Sequence, residues 1–112
     1  MNKLVVLWKT DNIIDVENLV IPYTHNSIKQ KWFNEVVLLI WGASQKLLAD
    51  NDSLKLDVEA MIHDGVRVIA CIGCSDNLGV TNELIKVGIE VKGTGVELSD
   101  FLKDDNTKII TV

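Results

Sequence analysis

The sequence predicts one α/β domain, a three-layer α/β/α sandwich around a parallel five-stranded sheet. Short apolar runs recur along the chain without polar alternation, the pattern of strands buried on both faces. Stretches with helical apolar spacing lie between them, so successive strands are joined by crossovers and run parallel. No linker, low-complexity stretch or internal repeat divides the 112 residues. At that length about two-thirds of the unfolded chain's surface can be buried, enough for a core without disulfides or metals.

Residues 4–8 form the first apolar run, bounded by Lys9-Thr10-Asp11-Asn12. Val16, Leu19, Val20 and Tyr23 then fall at i, i+3, i+4 and i+7, the face of a helix that Asp11 or Asn12 caps. Pro22 lies inside that pattern and lacks an N–H for the carbonyl of Asn18, which predicts a kink. Residues 36–41 are the second strand and 44–49 a short helix. Asn51-Asp52-Ser53 caps the next helix, with Leu54, Val58, Met61 and Ile62 on one face and Gly65 as the left-handed residue past its end. Residues 66–71 are strand three. Residues 75–87 read as a turn and a helix, interrupted at Gly79 and closed at Gly88, with Val80, Leu84 and Val87 inward. A short fourth strand covers 89–91. Thr94 followed by Glu97 matches a capping box, with Leu98, Phe101 and Leu102 as the apolar stripe behind it, and 108–112 closes the sheet.

Charge and length exclude several function classes. A net charge of -5 and a pI near 4.8 oppose binding to nucleic acid or an acidic membrane, and Lys29 with Lys31 is the nearest approach to a basic patch. The longest apolar run, 36–41, is far short of the roughly 18–20 residues of a membrane span. Met1-Asn2-Lys3 leads straight into the first strand, with no signal-peptide core or cleavage site. The expected location is the cytoplasm, where the two cysteines stay mostly reduced.

In an open parallel sheet ligands bind beyond the carboxyl ends of the strands. This sequence places its distinctive residues there: Trp8-Lys9-Thr10-Asp11 after strand one, Trp41-Gly42-Ala43-Ser44 after strand two, and Cys71-Ile72-Gly73-Cys74-Ser75-Asp76-Asn77 after strand three. The expected site is a pocket lined by Trp8, Trp41 and Cys71, with Thr10, Gly42, Ser44 and Asn77 at its mouth. The competing reading makes both tryptophans core fillers and Cys71 an inert buried thiol. Cys71-Ile72-Gly73-Cys74 is a C-x-x-C where a strand meets a helix, and donors aimed at a sulfur there lower its pKa and make it a nucleophile. Gly73 is expected to let the chain turn tightly enough to aim them. No metal is expected, because His25 and His63 are distant in sequence from the cysteine pair and four ligands are not available. No cofactor is expected either: Gly93-Thr94-Gly95 reads as a turn, and the first strand-to-helix junction carries no phosphate fingerprint. No Ser-His-acid triad is evident, and the carboxylates read as solvated helix faces.

Several segments resemble the stand-alone members of the DsrE/DsrF-like family: Trp41-Gly42-Ala43-Ser44 with Lys46-Leu47-Leu48-Ala49, then 65–80 from Gly65-Val66-Arg67 through Cys71-Ile72-Gly73-Cys74 to Leu78-Gly79-Val80, then 87–91. The opening strand and Pro22-Tyr23 fit the same group, so the resemblance spans nearly the whole chain. It implies the five-stranded parallel α/β/α fold and assembly into trimers or hexamers. It also implies a persulfide carried on Cys71, with Cys74 matching the second cysteine of a two-cysteine subgroup. On this reading the chain is a sulfur carrier with a sulfur donor or acceptor protein as partner, Cys71 as the more reactive thiol, and Asn77 and amides after Gly73 steadying the anion. The alternatives are a ligand- or partner-binding module with Trp8 and Trp41 as its platform, and a thiol redox sensor. A layer this small covers its sheet sparingly, so apolar surface on short helices such as 44–49 is also expected to need a second copy.

Overall fold

The computed structural model describes residues 2–112. Five parallel strands, β1 (Lys3–Trp8), β2 (Glu35–Ile40), β3 (Arg67–Cys71), β4 (Glu90–Lys92) and β5 (Thr107–Thr111), form one sheet in the order β4-β3-β2-β1-β5. Between β1 and β2 lie α1 (Ile13–Asp15), a π-helical segment (Val16–Val20) and α2 (Ile21–Lys29). The β2–β3 connection holds α3 (Ala43–Ala49) and α4 (Asp52–His63), and the β3–β4 connection holds α5 (Ile72–Leu78) and α6 (Thr81–Val87). A single helix, α7 (Gly95–Lys103), joins β4 to β5.

The strand order explains where the helices lie. From β1 to β4 each crossover steps to the next strand in the same direction, whereas β4 to β5 crosses the sheet the other way. Crossovers of one hand therefore lay the earlier helices on one face and α7 on the opposite one. On the first face Leu4, Val6, Trp8, Val36, Leu38, Ile40, Val68 and Ala70 pack against Val16, Val20, Leu48, Leu54, Val58, Met61 and Leu84. On the second, Val5, Val37, Leu39 and Ile69 pack with Phe101 of α7 and with the partly buried Leu98, Leu7, Trp41 and Ile109.

Asn12 is the cap of the first helix; its Oδ1 accepts from the amides of Ile14 and Asp15. The kink expected at Pro22 takes the form of the π segment, in which the Ile21 N–H reaches back five residues to the Val16 carbonyl. That wider turn rotates the buried stripe to Val16, Val20, Thr24 and Ser27, and leaves Leu19, expected inward, exposed. Asn51 caps α4 through Leu54, and Gly65 has the expected positive φ of 104°. The turn expected after β3 is instead helix from Ile72 onward. The capping box does not form: Thr94 has helical backbone angles and no side-chain cap bond, and Glu97 pairs with Lys92 at 2.6 Å. Leu102 faces solvent, and α3, expected to offer apolar surface, buries Ser44, Gln45, Leu48 and Ala49 within the chain. No helix of the described residues is long and apolar enough to cross a membrane.

Candidate functional site

Strand alternation and register bring a row of side chains to the carboxyl edge of the thinly covered face. Ile40 pairs with Ala70 and Trp8 with Ile40, so Lys9, Trp41 and Cys71 stand level on neighbouring strands, and Lys92 pairs with Cys71. All four belong to the same face as Leu7 and Leu39, because side chains alternate along each strand. Trp8 belongs to the other face. It is fully buried, and its indole N–H donates to the Thr10 carbonyl at 2.9 Å. Trp8 is thus core, and the expected pocket shared by Trp8, Trp41 and Cys71 does not exist, since a one-residue offset at a strand end reverses the side chain's face.

The other expected mouth residues divide. Gly42 lies beside Trp41 at the end of β2, with φ 73° and ψ -136°, a backbone conformation open in practice only to glycine. Ser44 is buried and committed to structure: its hydroxyl donates to the carbonyls of Trp8 at 2.7 Å and Trp41 at 3.1 Å, tying β1 to β2. Thr10 accepts from the Asn12 amide in the turn that starts α1. Asn77 is exposed near the far end of α5, because the helix begins at Ile72 and carries it a turn beyond the thiols. Gly73 has no positive φ, so it is not there for a tight turn. A Cβ on it would sit 4.0 Å from the Cys71 sulfur, and glycine leaves that flank of the sulfur uncovered.

Both cysteines are free and half-buried. Burial pushes the Cys71 thiol up. The Thr94 hydroxyl, the amides of Cys74 and Gly73 and the Cys74 thiol favour its thiolate and prevail, so Cys71 lies below an ordinary thiol. Cys74 moves the other way: burial raises it, and so does the adjacent Cys71, against opposing donation from the Gly42 amide and Trp41. Of the two thiols, Cys71 is therefore the readier to ionise and Cys74 the readier to keep its proton. Thr94, in the loop after β4, is nearly fully buried with a hydroxyl that has no hydrogen-bond partner, and Cys71, at the N-cap of α5, makes no side-chain cap bond to the first amides of that helix. These donors are poised for an anion on Cys71. Gln45, also fully buried, donates to the Cys71 carbonyl at 2.9 Å and the Ile40 carbonyl at 3.4 Å, fixing the end of β3 against β2.

Sequence reading missed Thr94, Gln45, Lys9 and Lys92. Thr94 matched a capping motif, Gln45 sits in a short amphipathic helix, and the two lysines join the row only through strand register. Beside the thiols a cavity of about 390 Å³ is lined by Leu7, Lys9, Trp41, Gly42 and Leu98. A second, of about 420 Å³, is lined by Asp11, Ala43, Lys46, Leu47, Asp50 and Leu78; neither cysteine lines either cavity, and the first lies nearer the thiols through Trp41 and Gly42. Among the described residues no three His, Cys, Asp or Glu side chains converge to hold a metal ion.

No known family's sequence profile matches the chain, and no curated protein matches it. Solved structures do. The conserved protein of unknown function BT1422 from Bacteroides thetaiotaomicron is 33% identical, over 99% of this chain and 95% of its own, with a TM-score of 0.94. The protein of unknown function MTH1491 from Methanobacterium thermoautotrophicum is 18% identical over the whole of both chains, with a TM-score of 0.82. The ychN protein from E. coli is 17% identical, again over the whole of both chains, with a TM-score of 0.67. These last two share the fold. The chain belongs to the same family as BT1422.

Proposed function

We propose that this member of the BT1422 family is a cytoplasmic sulfur carrier of the DsrE/DsrF-like kind, with Cys71 as the atom that holds the sulfur. The observation that carries the reading is the set of donors around one sulfur: the buried Thr94 hydroxyl, which has no other partner, and the amides of Gly73 and Cys74 all favour an anion on Cys71. The Cys71 thiolate attacks the outer sulfur of a donor persulfide. The donor's S–S bond breaks, its electron pair leaves on the donor thiolate, and a new S–S bond leaves a persulfide on Cys71. The same exchange in reverse passes the sulfur to an acceptor thiolate. The open flank at Gly73 leaves room for the second sulfur, and Cys74, holding its proton, is the neighbouring hydrogen-bond donor.

Intact-mass measurement after exposure to a persulfide donor tests this. The expected result is a gain of one sulfur atom that Cys71→Ser abolishes and Cys74→Ser retains. Absence of any gain, with folded protein, rejects the carrier in favour of a binding module; a loss of two hydrogens alone identifies a Cys71–Cys74 disulfide and a redox sensor. We further propose assembly with copies of itself as a trimer or hexamer. The support is the second face of the sheet, where α7 leaves Val96 74% and Leu102 67% exposed. A light-scattering mass near 12.5 kDa across a wide concentration range overturns it.

A further inference from the structure

The cavity beside the thiols is more specific than a sulfur carrier requires. Its floor and walls are Leu7, Leu98, Trp41 and Gly42, and its one charged lining residue is Lys9. Lys92, at the other end of the same row, is paired with Glu97 at 2.6 Å and Glu90 at 3.8 Å. Lys9 has no ionic partner among the described residues, in a chain whose net charge is -5. The cavity is also tied to the chemistry on two sides. Trp41 stands level with Cys71 on the adjacent strand, and Leu98 lies one turn along α7 from Thr94, its amide bonded to the Thr94 carbonyl at 2.9 Å. A volume of about 390 Å³ suits a small molecule and is too small for a folded partner's surface loop to fill as a plug.

We infer that this cavity seats the body of a low-molecular-weight sulfane-sulfur donor, an anion with an apolar aryl or alkyl group, whose charge meets Lys9 and whose terminal sulfur is presented to Cys71. The inference rests on the sulfur-carrier reading and names its donor class. An organic thiosulfonate is the simplest molecule of that description. The Cys71 thiolate attacks its terminal sulfur, the bond between that sulfur and the sulfonyl sulfur breaks, the electron pair departs with the sulfinate, and Cys71 is left as the persulfide. Atoms and charge balance with no further oxidant or reductant.

Two sulfane donors, benzenethiosulfonate and thiosulfate, separate the inference from the carrier reading, because both offer an outer sulfur and only the first has an apolar body. Loading of Cys71 on the unmodified protein is expected to be about tenfold or more faster per mole of donor with benzenethiosulfonate, corrected for their reaction rates with a free small thiol. Benzenesulfonate, which carries no transferable sulfur, is expected to change Trp41 emission saturably, and the change is expected to vanish in Trp41→Phe and to need severalfold more ligand in Lys9→Gln. Equal corrected rates from the two donors, with no effect of benzenesulfonate on Trp41, overturn the inference and leave the carrier standing. Saturable benzenesulfonate binding with no sulfur gained from either donor overturns both the carrier and the donor assignment, and reduces the cavity to an anion site.

Discussion

The two faces of the sheet have opposite fates: one presents an almost wholly apolar set of side chains, the other an apolar centre flanked by Lys3, Glu35, Arg67, Glu90 and Lys92. On one, three successive crossovers lay down a nearly continuous helical layer, and Leu4, Leu38, Ile40, Leu54, Val58 and Met61 are sealed from solvent. On the other, one nine-residue helix crosses three strands on its way from β4 to β5. It covers Val5, Val37 and Leu39 but leaves Leu7, Trp41 and Cys71 partly open at the carboxyl edge. The carboxyl edge of this face stays open because the return crossover is a single short helix. A second helix on that face would bury the row as completely as its counterpart buries Trp8.

Truncation of a core leucine on each face gives the largest contrast. Leu38→Ala, on the sealed face, is expected to cost about 2–5 kcal/mol of unfolding free energy in urea titrations, because the surrounding layer cannot collapse into the void. Leu98→Ala, on the open face, is expected to cost about 1 kcal/mol, since solvent already reaches that side chain. Equal losses would mean that the second face is as tightly packed as the first.

Thr94→Val sharpens the comparison at the thiols. It keeps the shape of the buried side chain and removes the hydroxyl that favours the Cys71 thiolate. The pH midpoint for alkylation of Cys71 is expected to move upward and the rate at neutral pH to fall, while stability changes little, because the variant leaves no buried hydroxyl unpartnered. An unchanged profile would remove Thr94 from the site.

The smallest effect belongs to the sealed face alone. His25 on α2 and Asp64 at the end of α4 meet at 2.6 Å and tie two helices of that layer together. The His25 hydrogen bond, and next that of His63, hold the Asp64 carboxyl below its ordinary value of 3.8. A carboxyl lowered on folding adds stability above the unfolded value and loses it as pH falls through the folded one. In His25→Gln the midpoint of acid unfolding is therefore expected to shift slightly upward, with Cys71 alkylation unchanged. A change in Cys71 reactivity would show that the two faces are coupled.

The strands, the helix caps at Asn12 and Asn51 and the αL position at Gly65 were legible in the sequence because each depends on residues close along the chain. The cysteine pair was legible as a candidate site for the same reason: a C-x-x-C at a strand's end is a local pattern within four residues. Leu19 and Asn77 were misplaced where a local rule met a shifted helix register or an earlier helix start.

The sequence alone determined five strands, their parallel sense and the edge at which their distinctive residues emerge. The tertiary structure alone decided that Trp8 is core while Trp41 joins Cys71, that Thr94 serves the thiol instead of a helix cap, and that Lys9 stands in the same row. The physical reason is the two-residue period of a strand combined with register between strands. Period assigns each side chain a face only once the strand's end is known to the residue, and register, set by pairing across the sheet, decides which distant residues become neighbours.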